Sequence, residues 1–99
     1  MFELIVNKLA EKALKQLDLR NKASLRKILE ALDSLEKLGL ESPNTKKLKN
    51  SKGIFRKRVG RFRILFTIRG NRIDVWIVEI EKDQSKDYPR WISYISGEI

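Results

Sequence analysis

The sequence predicts an α+β fold: an N-terminal strand, a helical hairpin, then a three-stranded antiparallel meander forming one twisted sheet, and a short C-terminal helix. Two periodicities and one punctuation carry that expectation. Apolar residues recur at spacings of three and four between Lys8 and Leu38, but alternate at a spacing of two near the N-terminus and again from Ile54 to Ile80. Isolated glycines interrupt the second alternation where tight turns belong.

The stretch "FELIV" (2–6) sets Phe2, Leu4 and Val6 on one side and reads as the first strand. From Lys8 the period changes. Leu9, Ala10, Ala13, Leu14 and Leu17 outline an amphipathic helix that loses its pattern near Asp18. Asn21 is placed to cap a second helix by accepting from a free backbone N–H one turn on. Its apolar stripe is Leu25, Ile28, Leu29, Leu32, Leu35 and Leu38, and Gly39 suits the left-handed position that ends it. "ESPNT" then breaks the pattern, with Pro43 opposing further helix. Strands are expected over "IFRKRV" (54–59), "RFRILFTI" (61–68) and "RIDVWIVEI" (72–80), joined by turns at Gly60 and at Gly70 and Asn71. Connections that short impose antiparallel pairing. The third of these is apolar on both faces, with Ile73, Val75 and Ile77 against Trp76, Val78 and Ile80, so it belongs in the sheet interior. Pro89 opens the last helix, "PRWISYIS" (89–96), with Tyr88, Trp91 and Tyr94 along one side to pack it onto the sheet.

A chain of 99 residues suits one domain, residues 1–99, able to bury a core without covalent staples. Cysteine and histidine are both absent, which excludes disulfides and the usual transition-metal sites, and no metal or cofactor is expected. The start of the chain lacks a basic leader, and no apolar run approaches the roughly 20 residues of a membrane span, so a cytoplasmic protein is expected.

The net charge of +9 is unevenly spread. Residues 1–45 contribute +1 and residues 73–99 contribute −3, whereas residues 46–72 hold eleven lysines and arginines and no acid. Surface charge placed for solubility is interspersed, so an acid-free basic run points to a polyanionic partner.

Strand alternation puts Arg56 and Arg58 on one face and Lys57 on the other. In the next strand Arg61, Arg63 and Thr67 share a face, opposite Phe62, Ile64, Phe66 and Ile68. With the phenylalanine row packed on the helices, the arginine row is expected to face a groove, and Arg63→Ala is expected to leave the protein folded. Arginine suits phosphate through its planar fork, while Lys46, Lys47, Lys49 and Lys52, with Arg61, would attract a nucleic-acid backbone more diffusely.

The segment "LKNSKGIFRKRVGRFRILFTI" resembles the signature of the RelE/ParE superfamily of bacterial and archaeal toxins. The match runs through Leu48, Gly53, Phe55, Arg56, Arg58, Val59, Gly60, Phe62, Arg63, Ile64, Leu65 and Phe66, and the element order matches over nearly the whole chain. The resemblance implies the toxin half of a toxin-antitoxin pair, neutralised by a cognate antitoxin. RelE-like members are small ribonucleases, often cutting mRNA on the ribosome, whereas ParE-like members act on DNA gyrase. It also implies roles. Arg56 and Arg58 fall at the basic strand positions, Arg63 at a phosphate-contacting arginine, and Tyr88 at a C-terminal tyrosine. Lys82 falls at a position usually held by arginine, although a different gap puts Asp83 there.

Cleavage by the RNA 2′-OH needs a proton acceptor, charge stabilisation on the phosphorane-like transition state and a proton for the leaving oxygen. Without histidine, the candidate proton carriers are Lys82 and Tyr88, because arginine, with a pKa above about 12, exchanges protons poorly. Tyr88 also suits stacking on a base. Arginine at 56 and 58, where the family often has lysine, keeps a non-enzymatic alternative open: a gyrase poison, or a relative that only binds antitoxin or nucleic acid. Glu79 and Glu81 are expected to pair with the basic sheet.

Overall fold

The computed structural model describes residues 1–80 and 88–99. The alternating N-terminal stretch forms β1 (Glu3–Val6), and Asn7 turns the chain into helix α1 (Lys8–Arg20). Asn7 makes no side-chain cap; its amide instead donates to Asp74 Oδ1 at 3.1 Å, tying the helix start to the sheet. Helix α2 (Lys22–Leu38) begins at Asn21, whose side chain accepts from the Ser24 backbone N–H at 3.1 Å, the cap the sequence implies. It ends at Gly39 with φ of 58°. There a Cβ would stand 2.6 Å from the Phe2 ring, so glycine serves both the positive φ and the close approach of Phe2, just before β1. Of the α2 stripe, Ile28, Leu32 and Leu35 are buried, whereas Leu29 and Leu38 remain about half exposed.

A single 3₁₀ turn, Gly39–Glu41, leads to β2 (Thr45–Lys47), a strand in a stretch where the sequence predicts none. Two of its three residues are exposed lysines, as befits a short edge strand, and so few residues carry no readable alternation. The expected meander follows as β3 (Ile54–Val59), β4 (Phe62–Arg69) and β5 (Arg72–Ile80), and α3 (Tyr88–Glu98) closes the chain.

Among the described residues the strands form one five-stranded sheet in the order β1, β5, β4, β3, β2. All neighbours are antiparallel except β1 and β5, which run parallel. β5 is therefore an interior strand, as its two apolar faces require. One core joins Ile28, Leu32 and Leu35 of α2 to Phe62, Ile64, Phe66 and Ile73 of the sheet. A second, on the other face, packs Tyr88, Trp91, Ile92 and Tyr94 of α3 over Leu48, Ile54, Leu65, Trp76 and Ile77.

The division of β5 into faces departs from simple alternation. Leu65 lies opposite Ile77 but Phe66 lies opposite Val75, so Trp76 is an extra residue at a β-bulge. Beyond it every side chain changes face: Ile77 joins Trp76 beneath α3, and Val78 joins Ile73 and Val75 on the hairpin side. The Trp76 indole N–H donates to Thr67 Oγ1 at 2.9 Å, which satisfies the one polar atom the bulge buries there. The bulge also turns Glu79 toward α3, directly opposite Arg63.

Lys57 points to the hairpin side, as alternation requires, and is buried there, its Nζ donating to the Pro43 carbonyl at 2.5 Å. Burial lowers its pKa from the usual 10.5. Below that usual value the unfolded chain then holds a proton that the folded chain gives up more readily, so this residue's contribution to stability improves as pH rises toward 10.5. Urea unfolding of the native protein and of Lys57→Met, followed from about pH 7 to about pH 10, should show the native chain gaining on the variant with pH. A constant difference across that range would mean that the amino group titrates alike in both states.

Candidate nucleic-acid-binding groove

Between the β2–β3 edge and α3 lies a groove of about 730 Å³. Its lining carries five cations: Arg56 and Arg58 from β3, Lys46 and Lys47 from β2, and Lys49 from the connection between them. Alternation brings Arg56 and Arg58 to this face, two residues and therefore about 7 Å apart along the strand. Antiparallel register sets Lys46 directly opposite Arg56, so the two share a face as like-charged neighbours. α3 supplies the far wall with Tyr88, Pro89, Ile92 and Ser93.

Arg63 does not face this groove, which corrects the expectation for the arginine row. Its side chain is fully buried. It lies opposite Arg58 on one flank and Glu79 on the other, and its Nε donates to Glu79 Oε2 at 2.7 Å, with Nη2 donating to the same oxygen. The Tyr88 ring covers the guanidinium at 4.6 Å, and the Trp91 indole N–H donates to Glu79 Oε2 at 3.0 Å. The cause is the β5 bulge. It delivers a carboxylate to the residue beside Arg63, and α3 then closes over the pair.

Glu79 thus answers the expected pairing with the basic sheet, and it is the residue whose importance the sequence understated. Tyr88, Trp91 and Tyr94 pack α3 onto the sheet as expected. Tyr88 does more, because it also forms groove wall, and its hydroxyl is buried with no hydrogen-bond partner among the described residues. Lys52 and Arg61 are exposed in turns and do not line the groove; the Arg61 guanidinium sits 6.0 Å from the Phe62 ring. Lys82, with Glu81 and Asp83, lies outside the described residues. No described helix is long and apolar enough to cross a membrane.

No protein-family model matches the chain, and no curated protein does. Solved structures do match. The YoeB dimer from Staphylococcus aureus is 25% identical, covers 82% of this chain and 98% of its own, and superposes with a TM-score of 0.71. The YoeB-YefM complex from the same organism is 26% identical over 83% of this chain and 99% of that one, with a TM-score of 0.69. The archaeal RelE-RelB complex from Pyrococcus horikoshii OT3 shares the fold at 24% identity, a TM-score of 0.62, and coverage of 80% and 93%. The chain thus shares the fold of these YoeB and RelE toxins over almost the whole length of each, and at 25–26% identity it is similar in sequence to the Staphylococcus aureus YoeB toxin, in line with the resemblance to the RelE/ParE superfamily.

Proposed function

We propose that this protein is the toxin of a toxin-antitoxin pair and acts as a RelE-like mRNA endonuclease in the cytoplasm. One observation carries the reading: alternation on β3 and register with β2 converge two arginines and three lysines on a groove that Tyr88 also walls. In it the RNA backbone lies along β2 and β3, with the scissile phosphate on Arg56 and Arg58. Their donors stabilise the charge that builds on the non-bridging oxygens as the 2′-OH attacks and the P–O5′ bond breaks. The lysines draw the strand in and hold its flanking phosphates. Tyr88, which walls the groove, and Lys82 are the side chains whose chemistry suits carrying the protons that the arginines cannot.

Arg63 acts on this chemistry through its neighbours. By fixing Tyr88 under its ring and Glu79 at its side, it positions the wall of the groove, and it touches no substrate atom. The YoeB-YefM neighbour is a toxin-antitoxin complex, which supports a cognate antitoxin as partner here. An acidic segment of such a protein, laid along the groove cations, would block RNA entry.

Induced expression in bacteria tests the proposal. Translation should stop, and sequencing of RNA ends should find messages cut inside codons. Intact messages with continuing translation would overturn it, and gyrase-dependent DNA breaks in their place would point to the ParE-like target.

A further inference from the structure

Among the described residues that line the groove, Asn50 alone offers a hydrogen-bond donor and acceptor together in one plane. The arginines and lysines only donate. That distinction separates gripping a backbone from reading a base, since phosphates accept from any cation while a base edge is recognised by a matched donor and acceptor.

The connection that carries Asn50 is held firmly. The Leu48 N–H donates to the Ile54 carbonyl at 2.9 Å, and the Ser51 hydroxyl donates to the Leu48 carbonyl at 2.7 Å. Leu48 and Ile54 are both buried beneath it. Asn50 itself has φ of 60°, a conformation that glycine adopts more cheaply and that Gly53 adopts a few residues on. Asparagine tolerates this conformation better than other side chains, and glycine better still, so Asn50→Gly can keep the turn while removing the amide. Across the groove stand Ile92 and Ser93 of α3, an apolar surface and a hydroxyl rather than further cations.

We infer that Asn50 reads the edge of the base neighbouring the phosphate held by Arg56 and Arg58, and so sets the nucleotide preference of the cut. The ligand is single-stranded RNA, whose unpaired bases leave their edges open to such contacts. This inference rests on the endonuclease reading of the groove.

The test maps cut sites by sequencing RNA ends after expressing the native protein, Asn50→Gly and Lys49→Ala. Glycine keeps the backbone of the turn and removes only the amide. The readout is the ratio of preferred to disfavoured base beside the cut, which does not depend on total yield. In Asn50→Gly that ratio should fall by roughly fivefold or more, the lower end for loss of one two-point contact to a base. In Lys49→Ala cutting should weaken at all sites alike, with the ratio kept, because a phosphate contact carries no sequence information. An unchanged ratio in Asn50→Gly overturns the inference and leaves Asn50 a turn residue, as does a native map without base preference. A native protein that cuts no message fails differently: its own map is blank, and the endonuclease reading falls first.

Discussion

Arg63→Ala should unfold the protein or bring it close to unfolding, with a loss of about 3–5 kcal/mol read by urea denaturation. The arginine is 0% exposed, and its Nε and Nη2 both donate to one oxygen of Glu79, whose side chain is 23% exposed. Removing the cation leaves a largely desolvated carboxylate with the Trp91 indole N–H as its remaining donor among the described contacts, and leaves a void under the Tyr88 ring. Both losses fall on the seam between α3 and the sheet, so α3 should loosen first. A small domain is stable by about 5–15 kcal/mol in all, so a loss of this size is decisive. Arg63→Lys should recover little, because an ammonium cannot reproduce two donors fixed in one plane. The pair Arg63→Met with Glu79→Leu should lose less than the two single changes added together, since neither partner is then stranded. If Arg63→Ala unfolds within about 0.5 kcal/mol of the native protein, the buried pair is not what holds α3.

That expectation reverses the one drawn from sequence, and the reversal has a local cause. Alternation along β3 was readable because the strand is regular: Arg56 and Arg58 to one side, Lys57 to the other. The same rule assigned Phe62, Ile64, Phe66 and Ile68 to the helical hairpin, where they pack. It also set Arg63 on the opposite face, which is where it lies. What the rule could not supply was the state of that face. A single extra residue, Trp76, shifts the far half of β5 and brings Glu79 beside Arg63, and nothing in a run of apolar residues marks which one is surplus. The same limit hid β2. Its pairing with β3 depends on the 3₁₀ turn that follows α2, and three residues are too few to show a period. Helix boundaries were plainer, because Asn21 and Gly39 each perform a local chemical task that their own side chain, or its absence, announces. The groove was thus half legible. Its floor follows from alternation, while its walls follow from where β2 and α3 come to rest.

Arg58→Ala should abolish growth inhibition while leaving the protein as stable as the native chain to within about 0.5 kcal/mol. Arg58 is exposed on the groove floor, so truncation removes no buried packing, in contrast to its strand neighbour Arg63. Directly opposite residues in an antiparallel pair thereby differ in exposure: Arg63 is buried against Glu79, whereas Arg58 is exposed on the groove where RNA would lie. Losing one donor set to the transition-state charge lowers turnover by about 10²-fold or more, enough to let an induced culture grow. Arg58→Lys should retain part of the activity, since an ammonium keeps the charge but not the fork. The two readouts together decide the assignment. Loss of toxicity with an unchanged urea midpoint puts Arg58 in the chemistry, whereas toxicity retained in a folded Arg58→Ala protein would take Arg58 out of it and leave Arg56 as the arginine of β3 on the phosphate.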